Sequence, residues 1–178
     1  MTADDLKALI RTVPDFPRQG IMFRDITTLL ADGKGLTASV EMIAQRANAV
    51  GAGAIAGMEA RGFIFGAAVA SLLMLGFVPV RKPGRLPVPT IGIDYSLEYG
   101  QARLEIDPTL IQQGERVIIV DDLIATGGTA LAAAQLLRQA GAVVDRALFV
   151  IDLPDLGGAK LLRANGIEVE ALMEFEGD

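Results

Sequence analysis

The segment VIIVDDLIATGGT, Val117 to Thr129, sets two carboxylates after an apolar run and two glycines before a helical pattern. In a parallel sheet, ligands lie beyond the carboxyl ends of the strands. A helix N-terminus at that place offers unpaired N–H groups and a positive dipole end to a phosphate. Gly127 and Gly128 let the backbone approach closely, and Thr126 and Thr129 add hydroxyl donors. Asp121 and Asp122 would repel a phosphate that came alone. They suit a ligand that also carries a vicinal diol, because ionised carboxylates accept hydrogen bonds and hydroxyls donate them. By itself the acid pair also fits one Asp capping the helix and the other standing in water. The buried strand before it and ATGGT after it favour a sugar phosphate. The segment lacks the Lys of a P-loop and the G-x-G-x-x-G of a dinucleotide fold.

A second phosphate group would need cations. Arg61, in Glu59-Ala60-Arg61-Gly62, follows the apolar AIAGM, and Arg81, Lys82 and Arg85 cluster after FVPV. Arginine suits this task because its planar fork pairs oxygens bidentately. In isolation Arg81-Lys82 also reads as a solvated strand end. The chain has no histidine, so acid–base chemistry falls to carboxylates, Lys, Tyr or the substrate itself.

These residues must be carried by alternating strands and helices. Thr2 to Arg11 reads as a helix, with Thr2 and Asp5 spaced as a capping box. Gly35 to Val50 is a second helix, with Leu36, Val40, Ile43, Ala44 and Ala47 at helical spacing. Ala54 to Met58 and Phe77 to Val80 read as strands around a small-residue helix that reaches Leu75. Val117 to Val120 is the clearest strand. The helix GTALAAAQLLRQAG follows it, with Gly141 as a C′ residue. Ala147 to Ile151 is strand, Gly158 to Asn165 helix, and Ile167 to Met173 a final strand at an edge. The class expected is α/β, with a mainly parallel central sheet flanked by helices. Pro14 to Thr28 is too punctuated for a core helix. Pro83 to Ile106 begins with Pro83, Pro87 and Pro89 and ends in alternating QARLEI, as a long excursion carrying a β-ribbon would.

Composition narrows the rest. At 178 residues the chain fits one domain, long enough to bury a sizeable core. A formal charge of −6 opposes nucleic-acid binding, yet 16 Lys and Arg can build a local positive cleft. The longest apolar run, Phe63 to Phe77, is cut by Gly66, Ser71 and Gly76, so no membrane span is expected. The acidic start MTADDLKALIR is unlike a signal peptide. The lack of cysteine removes disulfides and thiolate metal sites, which fits a cytoplasmic protein.

VIIVDDLIATGGT resembles the signature with which type I phosphoribosyltransferases bind phosphoribosyl pyrophosphate (PRPP), and DDLIATGGT is most similar to the adenine branch. The resemblance extends from Phe16 to Phe175 through GMEARGFIFG, VRKPGRLP, YSLEYGQARLEI and FPRQGIMFRDIT, in the family's order. It implies one domain over 1–178, with a base-recognition segment at 14–28 and a flexible hood at 83–106.

On that resemblance Asp121 and Asp122 hold the ribose, and Ala125, Thr126, Gly127, Gly128 and Thr129 hold the 5′-phosphate. Glu59, Ala60, Arg61, Arg81, Lys82 and Arg85 meet the pyrophosphate. The family often has Ser where Ala60 stands, so a hydroxyl contact is missing there. Glu98 is the implied acid–base residue at the purine, Tyr99 covers the reacting centre, and Arg61 joins them in catalysis. Met22, Phe23, Arg24 and Leu153 are implied at adenine, Met22 and Arg24 through main-chain groups and Phe23 by stacking. Without the resemblance Glu98 is an exposed loop acid, Phe23 a core residue and Arg24-Asp25 a surface ion pair, and Asp94 and Tyr95 are loop structure.

The implied activity is transfer of phosphoribose from PRPP to adenine, giving AMP and pyrophosphate in purine salvage. Mg²⁺ arrives with PRPP rather than in a dedicated cage. A homodimer is implied, with no nucleic acid or membrane as partner. Two alternatives stay open: transfer to hypoxanthine, guanine, xanthine or orotate, and a non-catalytic PRPP-binding regulator.

Overall fold

A computed structural model describes residues 1–97 and 99–177. Glu98 therefore lies outside the described residues. The helix α1 (Ala3–Leu9) starts at the capping box read from sequence, with the Thr2 hydroxyl accepting from Asp5 N–H and the Asp5 carboxylate accepting from Thr2 N–H. It stops two residues before Arg11, because Ile10 turns extended and Arg11 opens β1 (Arg11–Pro14). β1 pairs antiparallel with β2 (Met22–Asp25), so the punctuated segment after α1 is a small hairpin. A short helix α2 (Thr27–Ala31) and the long α3 (Gly33–Ala49) follow.

The central sheet has five parallel strands. β3 (Ala54–Met58), β4 (Gly76–Val80), β7 (Val117–Ile124), β8 (Arg146–Asp152) and β9 (Glu168–Glu174) lie in the order β4-β3-β7-β8-β9. The helices α4 (Arg61–Leu72), α5 (Gly128–Gln139) and α6 (Gly158–Ala164) make the crossovers. Two apolar clusters form, one on each face. Ile119 and Phe149 pack toward α5 and α6, while Ile118, Val120 and Leu148 pack toward α3 and α4. A sheet covered on both faces needs apolar residues at successive positions, which explains the unbroken VIIV of β7.

Two further boundaries, those of α4 and β7, differ from the sequence reading. α4 ends at Leu72 rather than Leu75, because Met74 adopts a left-handed φ of 56° and the Leu75 N–H turns back to the Ala70 carbonyl. β7 continues to Ile124, since Asp121, Leu123 and Ile124 still pair with β8. The acid pair is thus part of the strand and not beyond it. Gly141, at φ +102°, sits just past the end of α5 as expected.

β4 and β9 are the edges of the sheet. Pro79 lies within β4, opposite Gly57. β9 carries Glu168, Glu170 and Glu174, with Glu170 drawn onto Arg46 and Arg146. The excursion before β7 folds as an antiparallel ribbon of β5 (Ile91–Leu97) and β6 (Gly100–Ile106). Its base is tied to β4 by a reciprocal Arg81–Glu105 bridge, and Ile91, Ile93 and Tyr95 pack on the core beside α5.

Candidate active site

The C-terminal ends of β3 and β7 open into a cleft of about 440 Å³ lined by Met58 to Arg61 and by the continuous run Asp121 to Ala130. Every residue assigned to the ribose and 5′-phosphate faces this one cavity. Gly127 caps α5 with φ +84° and no side-chain hydrogen bond, which leaves the first N–H groups of the helix available. A Cβ on Gly128 would meet nothing within 4 Å, so that glycine leaves bare backbone facing open space. Neither Asp caps the helix.

The loop is braced from behind by a segment the sequence did not single out. Gly158 donates its N–H to the Ala125 carbonyl at 3.0 Å, and Leu153 donates to the Ile124 carbonyl at 3.1 Å. A Cβ on Gly158 would sit 2.8 Å from the Gly127 nitrogen and closer still to the Ala125 carbonyl oxygen. Only glycine permits this approach. Its signal in the sequence was confined to a G-G pair at the start of a helix.

Asp121 and Asp122 differ in surroundings. The Asp122 carboxylate is almost fully buried and paired with Arg61 at 2.9 Å, whereas the Arg61 side chain remains 54% exposed. Asp121 accepts the Asp122 N–H at 2.8 Å. Burial pushes the Asp121 carboxyl well above the ordinary aspartate range, the charge of Asp122 adds to this, and Arg61 opposes it. Gly62 allows the crowding, since a Cβ there would lie 2.9 Å from the Asp121 oxygen.

The other cations are less convergent than their clustering suggested. Arg81 pairs with Glu59 at 3.1 Å and donates to the Arg85 carbonyl, and Glu59 also accepts the Lys82 N–H. Burial works to raise the Glu59 carboxyl, but the Lys82 N–H, Arg81 and Arg85 outweigh it and hold the group below its usual range. Among the described residues, Arg61 is the cation lining the main cleft. Lys82 lines an adjoining cavity under the ribbon with Glu59, Asp94, Tyr95 and Thr129. Arg85 lines neither.

A more apolar cleft of about 430 Å³ adjoins the first and shares Arg61, Leu123 and Thr126 with it. Ile21, Met22, Phe23, Arg24, Tyr99, Leu153 and Leu156 complete its wall. β2 belongs to a two-stranded sheet, so its edge away from β1 keeps main-chain donors and acceptors free of strand pairing. Phe23 is fixed by an edge-to-face contact with Phe16 at 5.1 Å. The Arg24 guanidinium is held away by Thr12 and the Glu176 carbonyl and lies over Phe175. Asp25 pairs with Arg11 and not with Arg24, and the Thr27 hydroxyl and N–H together with Arg11 hold its carboxyl down to about 2. Tyr99 stands over this cleft with the Arg18 guanidinium 4.2 Å from its ring centroid, a contact the sequence reading missed.

The phosphoribosyl transferase domain family matches residues 26–159. An adenine phosphoribosyltransferase of Novosphingobium aromaticivorans is 71% identical over 177 residues, covering 99% of both chains. The solved adenine phosphoribosyltransferase of Thermoanaerobacter pseudethanolicus matches with a TM-score of 0.92 at 46% identity, over 98% of this chain and 100% of that one. The Saccharomyces cerevisiae enzyme, solved with an imino-altritol bisphosphate and adenine, matches with a TM-score of 0.90 at 36% identity, over 96% and 98%. By family pattern, by identity along nearly its whole length and by fold, the chain belongs to the adenine phosphoribosyltransferases.

Proposed function

We propose that the chain transfers the 5-phosphoribosyl group of PRPP to adenine, releasing pyrophosphate and forming AMP. The observation that carries this reading is the continuity of the two clefts. A polar cavity suited to a sugar phosphate opens, across Arg61, Leu123 and Thr126, into a more apolar cleft with room for a flat base. A displacement at the anomeric carbon needs those two partners face to face.

Within this reading the free N–H groups of α5, Thr126 and Thr129 hold the 5′-phosphate, and Asp121 and Asp122 orient the ribose hydroxyls. Arg61 leaves Asp122 for the departing pyrophosphate, where its fork neutralises charge as the bond breaks. Lys82 and the Glu59–Arg81 pair flank the same oxygens. Adenine lies between Phe23 and Leu153 and pairs along the main chain of β2. Tyr99 excludes water above it. Glu98 moves the purine proton, an assignment that rests on the family resemblance.

Among the described residues no three His, Cys, Asp or Glu side chains gather as a metal cage. The paired carboxylates Asp121 and Asp122 are hard oxygen donors of the kind Mg²⁺ accepts beside substrate oxygens and water, and the residues present fit an ion delivered with PRPP. When bound, it would add positive charge beside the leaving pyrophosphate.

The test is turnover of adenine, hypoxanthine, guanine, xanthine and orotate with PRPP and Mg²⁺, with products resolved by chromatography. AMP should form far faster than any other nucleotide. Faster turnover of another base would overturn the reading of Met22 to Arg24 and keep the PRPP loop.

The homodimer belongs to the same reading. Ile64 and Leu72, two helical turns apart on one face of α4, are exposed, and Met74 beyond them is 93% exposed. Apolar side chains in such a row favour an isologous contact with a second copy. Leu72→Glu is expected to shift sedimentation from dimer to monomer, and an unchanged sedimentation coefficient would move the interface elsewhere.

No helix among the described residues is long and apolar enough to cross a membrane.

A further inference from the structure

Sequence alone makes Tyr95 loop structure, yet its ring packs where the hood ribbon meets the start of α5. It lies in β5, half-buried against the cluster formed with α5, and its hydroxyl oxygen is 3.4 Å from Oγ1 of Thr129. Thr129 is in the first turn of α5 and lines the main cleft. It also lines the adjoining cavity with Tyr95 and Lys82, so Thr129 stands between the two spaces with Tyr95 on the far side.

We propose that Tyr95 is a positioning residue that sets the Thr129 hydroxyl for the 5′-phosphate and so links the hood to occupancy of the loop. A threonine hydroxyl has one proton and two lone pairs. Left alone, it turns to whichever acceptor lies nearest, including backbone carbonyls one turn back. When the Tyr95 O–H donates to Oγ1, that oxygen has an acceptor site filled and its single proton is directed elsewhere. The open side of Thr129 is the cleft. A phosphate there receives the proton, and the chain Tyr95 to Thr129 to phosphate strengthens each bond along it. The same chain works in reverse. A bound phosphate fixes Thr129, Thr129 holds Tyr95, and Tyr95 holds β5 against α5 at the root of the ribbon whose far end carries Tyr99.

The inference rests on the assignment of the 5′-phosphate to residues 125–129, and its test separates the two. Tyr95→Phe keeps the ring and removes the oxygen. It is expected to raise KM for PRPP about fivefold, the loss of one modest hydrogen bond, with KM for adenine, kcat and Tm unchanged. Thr129→Val should raise KM for PRPP by itself, and adding Tyr95→Phe to it should change nothing further. Thr129→Ser, which keeps a hydroxyl, should remain sensitive to Tyr95→Phe. Additive effects in the double variant, an unchanged PRPP KM in Tyr95→Phe, or an equal rise in adenine KM would each overturn the role of Tyr95 and leave the loop assignment standing. A wild-type PRPP KM in Thr129→Val would overturn both.

Discussion

Replacing Arg61 with Ala is expected to lower kcat roughly 100- to 1000-fold, the loss seen when one preorganised charge partner of a developing anion is removed. Arg61 stands at the junction of the two clefts, where the proposed reading puts the breaking bond to pyrophosphate. Its removal also strands Asp122, whose side chain is 5% exposed and has Arg61 as its ion-pair partner. That should cost about 2 kcal/mol of stability after discounting for the half-exposed arginine. The two losses separate in Arg61→Lys. A point charge restores stability at Asp122, but it lacks the planar fork and should leave kcat low. If Lys restores both, Arg61 acts only by keeping Asp122 paired.

The same variant carries a pH signature. The Asp121 carboxyl is raised by burial and by the Asp122 side chain, while the Asp122 N–H and then Arg61 pull it down. Without Arg61 it climbs further. Ribose hydroxyls need an ionised acceptor, so the acidic limb of kcat/KM for PRPP should move to higher pH in Arg61→Ala. Stability follows the matching sign. An acid raised by folding supports the fold below its unfolded value, and that support is lost as pH rises through the folded value. The variant should therefore lose Tm with rising pH over a wider span than the parent, as a thermal series across pH would record.

Gly158→Ala is expected to lower kcat/KM for PRPP roughly 10- to 100-fold, with little change in KM for adenine. The added carbon would press on the Gly127 nitrogen and the Ala125 carbonyl, both backbone atoms that no rotamer change can move aside. Strain of about 1–3 kcal/mol from such overpacking falls on the loop proposed to receive the phosphate. Gly128→Ala is the internal control. A Cβ there meets nothing in the protein, so Tm should hold while PRPP binding weakens. Wild-type PRPP kinetics in Gly158→Ala would show that the loop yields without cost.

The alternation of strands and helices was legible because apolar runs such as VIIV and small-residue helices such as ALAAAQLL have unmistakable periods. The β-ribbon was legible from alternation in QARLEI, and the cleft-lining loop after β7 from residue types lying side by side in the chain. What escaped depended on contacts between distant segments. Ile10 leaves helical geometry because Arg11 pairs with Asp25 in a hairpin, fourteen residues on. Arg81 reads as a free cation until the fold sets Glu59 beside it. Tyr95 has no local peculiarity, and Gly158 only a glycine neighbour at the start of a helix. Each acquires its role where a remote strand or loop meets the end of α5.

The edges of the central sheet bear on what the molecule does when crowded. An open strand is a template, and another chain's strand can add to it indefinitely. Proline in β4 withholds a donor from any would-be guest, and the root of the hood already occupies the place beside Arg81. Along β9, Glu168 and Glu170 are paired with arginines, and the Val169 and Ala171 carbonyls already accept from Arg163 and Arg46. Sideways growth into a fibre is discouraged at both ends. The clefts above the strand ends, away from both edges, remain open.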